Sequence, residues 1–137
     1  MKSMFLALLA LVLFPAATQA ATVYPLDQAE ILSGSRFDVK VEFSSRLPDP
    51  NAARLTINGR DAAQVLGKQP QFVPDEDGKG SALILRGASL PAGAYTVEAR
   101  GGDAETARVS WQVYATPKPV AKNVILLIAD GLSVGHR

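Results

Sequence analysis

Cysteine is absent from the 137 residues, and there is one histidine, His136, and one tryptophan, Trp111. The missing thiols exclude a disulfide scaffold and any cysteine-based zinc site. A single imidazole excludes a metal centre built mainly from histidines. No charge of one sign predominates, since 14 basic and 13 acidic side chains leave a formal charge of +1. Nucleic-acid binding needs a basic surplus to neutralise phosphates, so that class of partner is excluded. Long helices are disfavoured by 11 glycines and 9 prolines. What remains is a chain with 47% hydrophobic residues and the length of one ordinary domain.

The first twenty residues read as an address. Lys2 supplies a positive start, residues 4–14 (MFLALLALVLF) are unbroken apolar sequence, and Pro15 precedes a small-residue stretch ending at Ala20. This order predicts a secretory signal peptide over residues 1–20, cleaved after Ala20. The apolar run falls short of the roughly 20 residues that span a bilayer, so no stable membrane anchor is expected after cleavage. Losing Lys2 balances the mature charge, and the expected destination is the periplasm or the exterior.

From residue 21 to about 115 the dominant period is two, the mark of half-buried strands. Phe37, Val39, Val41 and Phe43 alternate with Asp38, Lys40 and Glu42. Leu55 and Ile57 share a face ahead of the turn pair Asn58-Gly59. Residues 81–86 (SALILR) are apolar enough for a central strand. Tyr95, Val97 and Ala99 alternate with polar residues, and Val109, Trp111 and Val113 line a final strand. Turn signals separate these runs. The expected fold class is therefore mainly β: six or seven short strands in an antiparallel, immunoglobulin-like sandwich over residues 21–115. Residues 61–66 (DAAQVL) fit either one helical turn or a short edge strand.

Little in this unit points to chemistry. Asp75, Glu76 and Asp77 cluster beside Gly78, yet they lack the alternating ligand spacing of a calcium loop and read as an acidic surface turn. Tyr95 and Trp111 occupy inward positions and read as core. The serines have no neighbouring histidine, so no Ser-His-acid arrangement is visible.

The pattern changes after a Pro-containing linker at 116–121. Residues 124–128 (VILLI) are continuously apolar and end abruptly in Ala129-Asp130-Gly131. Such a run suits a strand covered on both faces in a parallel sheet, whose ligands gather beyond its carboxyl end. Asp130 stands at that point, and a carboxylate there is a good hard ligand for a divalent cation. Gly131 lets the backbone turn away sharply.

The phrase at 122–131, KNVILLIADG, resembles the opening strand of the catalytic domain in the alkaline phosphatase family, usually K-N-V/I-I-L-L-I-G-D-G-M-G. This chain departs at Ala129, Leu132 and Ser133. The resemblance covers about 15 residues and does not extend to the sandwich. It implies a secreted phosphomonoesterase with two zinc ions and a magnesium, acting on phosphomonoester substrates through a serine nucleophile. On that pattern Asp130 matches the aspartate bridging the serine-side zinc and the magnesium. Sulfatases resemble D-D at this place, and phosphoglycerate mutases of the same superfamily use D-G-W-G.

His136 and Ser133 are not promoted to ligand or nucleophile, because zinc usually takes three or four protein ligands and a serine needs an activating partner. The expectation is a partial product: signal, accessory sandwich, linker, and residues 122–137 as the start of a hydrolase domain that is inactive by itself. The rival expectation is a complete exported β-sandwich binding a partner or glycan, with residues 124–128 as its final strand, paired antiparallel.

Overall fold

The computed structural model describes residues 20–102 and 105–118, together with Asn123, Ile125 and Leu126. Among the described residues, nine strands form two sheets over a shared core, joined in part by one short α-helix and a 3-10 turn at Pro50–Ala52, and the protein is mainly β. In chain order the strands are β1 (Thr22–Tyr24), β2 (Ala29–Leu32), β3 (Phe37–Glu42), β4 (Ala53–Ile57) and β5 (Arg60–Asp61). Helix α1 (Ala62–Leu66) follows, then β6 (Gln71–Val73), β7 (Ala82–Ala88), β8 (Gly93–Gly101) and β9 (Glu105–Tyr114).

The alternating runs form strands because one face of each is greasy and the other is wet. Val39 and Val41 of β3 are buried while Asp38 is exposed and Lys40 and Glu42 are only half-buried. Leu55 and Ile57, Val97 and Ala99, and Val109, Trp111 and Val113 repeat the pattern on β4, β8 and β9. These side chains, with Val23 and Leu85, merge into one apolar cluster between the sheets. Each fully buried Val, Leu or Ile contributes roughly 1.5–3 kcal/mol, so this cluster is the main source of stability in a chain without disulfides. Trp111 lies edge-on to Phe37, with centroids 5.8 Å apart and planes at 88°. Its Nε1–H donates to the Pro25 carbonyl at 2.9 Å, so the indole is buried with its polar atom satisfied. Tyr95 is only half-buried, packing on the cluster while its hydroxyl donates to the Pro91 carbonyl at 2.9 Å.

Local signals set the joints. Asn58 and Gly59 have φ of +50° and +74°, which makes the two-residue link between β4 and β5 a type I′ turn. Residues 61–66 divide between the two alternatives, Asp61 ending the edge strand β5 and Ala62–Leu66 forming α1: the Asp61 carboxylate accepts the Ala63 N–H at 2.8 Å, and Gly67 closes the C-terminus in the left-handed region.

One sheet has the order β1-β3-β7-β6 and is antiparallel throughout; the other has the order β2-β9-β8-β4-β5. The strand count and the all-antiparallel expectation both need correction, because nine strands form among the described residues and β2 lies parallel to β9. The physical reason is at the first strand, which divides between the sheets. Pro25 has no N–H for a ladder, and the chain leaves the first sheet there. It is then fastened to β9, where Gln28 N–H donates to Ser110 O at 2.8 Å and the Asp27 carboxylate accepts Ser110 N–H at 2.7 Å. Of residues 81–86, all but Ser81 enter a central strand, since β7 lies between β3 and β6.

Candidate functional site

Asp130, the metal ligand expected from the sequence, lies outside the described residues, as do Ser133, His136 and the signal segment 1–19. Of the apolar run at 124–128, Ile125 and Leu126 are described. They belong to neither sheet and are 87% and 78% exposed. The described chemistry is therefore that of the two-sheet unit.

Its charged groups gather in a groove of about 320 Å³ beside β1 and β3, lined by Thr22, Lys40, Glu42, Ser44, Glu76 and Asp77 among others. Strand alternation aims Lys40 and Glu42 outward, and the 76–80 turn brings the acidic cluster to them. That turn is closed by Glu76 N–H donating to Gly80 O at 2.6 Å and Lys79 N–H to Glu76 O at 3.0 Å. Lys40 Nζ stands 2.7 Å from Glu42 Oε1 and 2.8 Å from Glu76 Oε1. Hydrogen bonds to Glu42 and Glu76 hold its ammonium protonated well above the ordinary lysine value. Asp75 pairs with the Arg46 guanidinium. Two of the three clustered acids are thus neutralised by bases of the same module, as in a structural turn. Lys40, held in its charged form between two carboxylates, cannot act as a base near neutral pH.

Beneath the groove is a group that sequence reasoning missed. Glu105 opens β9 and is almost fully buried, at 3% exposure. Its carboxylate accepts the Ser44 N–H at 2.8 Å, the Ser45 N–H at 3.0 Å and the Ser45 hydroxyl. Burial alone pushes this carboxyl up, and the donors of Ser45 and Ser44 more than offset it, leaving its pKa below the usual glutamate value. Its partners lie 60 residues away in the chain, so no local signal marked it.

Among the described residues, no three His, Cys, Asp or Glu side chains are grouped to hold a metal ion. Asp130, the one ligand that the family resemblance implies here, is not among them, and no hydrolytic step is derived from the described side chains. No protein-family model matches the chain, and no curated protein matches it in sequence.

Proposed function

We propose that this chain is the N-terminal portion of an exported, alkaline-phosphatase-like phosphomonoesterase, carrying an immunoglobulin-like accessory module ahead of the catalytic domain. The observation that carries the reading is the phrase at 122–131, in which a continuous apolar run ends at Asp130-Gly131. Asp130 would be a ligand shared by the serine-side zinc and the magnesium. Such paired cations, when bound, supply Lewis-acid stabilisation of the oxygens in an in-line phosphoryl displacement. Residues 1–137 include neither the nucleophile nor the remaining ligands of that pattern, so the chain by itself is expected to be inactive.

Two features support the immunoglobulin-like assignment of the module. The order β1-β3-β7-β6 corresponds to strands A, B, E and D of that sandwich, and β4, β8 and β9 to C, F and G. The first strand is shared between the two sheets, one part antiparallel to β3 and the other parallel to β9. A non-catalytic binding module is the second reading. The observation behind it is that, among the described residues, the core draws on none further along than Val113.

The test is the reading frame beyond codon 137, with the encoded product expressed and assayed on p-nitrophenyl phosphate. The expected result is a frame encoding a serine nucleophile loop and further metal ligands, and zinc-dependent hydrolysis that Asp130→Asn abolishes. A frame without those elements, or zinc-dependent hydrolysis by the 137-residue chain alone, overturns the proposal.

A further inference from the structure

A second cluster of charge lies on the β1-β3-β7-β6 sheet and shares no lining residue with the groove. Gly87 of β7 has a left-handed φ of +63°, near where the register between β3 and β7 shifts. Arg36 approaches it from the loop entering β3, and Lys68 from the turn between α1 and β6. A side-chain carbon on Gly87 would stand 3.6 Å from Lys68 Nζ and 3.8 Å from Arg36 Nη1, so both cations converge within contact distance of one point above the glycine.

The ammonium is held in place. Lys68 Nζ donates to the carbonyls of Arg86 and Gly87, each at 3.3 Å, which leaves one of its three protons uncommitted. The Arg36 guanidinium has no hydrogen bond or ion pair among the described residues. Asp38, the carboxylate bonded into this cluster, is committed at both oxygens: Oδ2 to Arg86 at 3.0 Å and Oδ1 to the Gly87 N–H at 2.8 Å. Arg36, Lys68 and Arg86 against Asp38 leave a surplus of two positive charges.

We propose that Arg36 and Lys68 form a binding site over Gly87 for a phosphate-class oxyanion. A phosphomonoester dianion matches the surplus in charge. Its oxygens can take the free lysine proton and the arginine fork together, the geometry in which charge-assisted bonds are strongest. The site goes beyond the phosphatase reading and stands without it, because it rests on side chains within the two-sheet unit.

The experiment is a titration of the isotope-labelled full chain with inorganic phosphate, against chloride at equal ionic strength, followed by NMR. The expected result is saturating shifts of the Gly87 amide and the Arg36 Nε–H. Binding should weaken about tenfold or more in Arg36→Gln and in Lys68→Gln. Arg54→Gln, an exposed arginine on the other sheet, should leave it unchanged. Glycerol phosphate and vesicles carrying phosphatidic acid form two further arms. Competition by the first assigns a soluble phosphoester. Binding tighter to the second than to inorganic phosphate, and lost in Lys68→Gln, assigns a lipid headgroup. Shifts no larger than with chloride, shifts retained in both variants, or equal weakening by Arg54→Gln overturn the proposal. No hydrolysis enters this readout, so its failure and the failure of the family reading are separate results.

Discussion

The ring of Phe43 occupies the space where a side chain on Gly101 would lie: a Cβ there would stand 2.4 Å from Cδ1 and 2.8 Å from Cε1. Gly80 approaches the same residue through its backbone, with its Cβ position 2.1 Å from the Phe43 carbonyl oxygen. Phe43 is thereby held between the end of β8 and the acidic turn, and it ties the groove to the core. Gly101→Ala forces the ring to move in a close-packed interior and is expected to cost about 1–3 kcal/mol. Urea unfolding measures it. Adding Phe43→Leu should recover part of the loss, because the two positions share one space; strict additivity would contradict the packing account.

Glu105 makes stability depend on acid. Its folded pKa lies below the ordinary 4.5, so the carboxylate form favours the folded state. That contribution is fully present above the unfolded value and is lost as pH falls from about 4.5 through the lowered folded value. Glu105→Gln keeps the shape but removes the charge facing the Ser44 and Ser45 donors. It should cost about 1–3 kcal/mol at neutral pH and flatten the acid limb of the stability curve. Melting curves for both proteins from about pH 3 to 6 check this, and parallel limbs would refute it.

Ser81 carries a similar burden without charge. Its buried hydroxyl accepts the Leu47 N–H at 2.9 Å and donates to the Pro74 carbonyl at 2.7 Å, joining two loops 34 and 7 residues away. Ser81→Ala strands both groups where water does not readily reach. The expected loss is about 1–3 kcal/mol, read from denaturant midpoints at unchanged slope.

Much of this fold was written in periodicity. The alternation at 39/41, 55/57, 97/99 and 109/111/113 showed which side chains go inward, because a strand has only two faces. Asn58-Gly59 fixed its hairpin by itself. Alternation reports faces and not neighbours, so it could not reveal that residues 29–32 lie parallel to β9. The three-residue strands β1 and β6 are too short to show a period. Glu105, and the convergence of Arg36 and Lys68 on Gly87, depend on residues distant in sequence. Asp130 stands apart from these cases: it was read from a phrase, and the described residues do not include it.

Arg54 of β4 and Arg100 of β8 are directly opposite each other in the antiparallel ladder, and both are exposed. Neither forms an ion pair among the described residues, whereas Arg108, on the neighbouring strand, has Glu98 at 3.2 Å. Like charges facing across a sheet are destabilising, by an amount comparable to the roughly 0.2–1 kcal/mol that a favourable cross-strand pair contributes. Arg100→Gln should therefore raise stability by a few tenths of a kcal/mol up to about 1, and Arg100→Glu by more, since it places an acid opposite Arg54. Both gains should shrink as salt is raised to molar levels, where exposed charges are screened over a few ångströms. Thermal melts at low and high salt separate this electrostatic gain from one due to strand propensity, which salt would leave in place. A loss of stability on either substitution at low salt would show that the two guanidiniums are not in conflict.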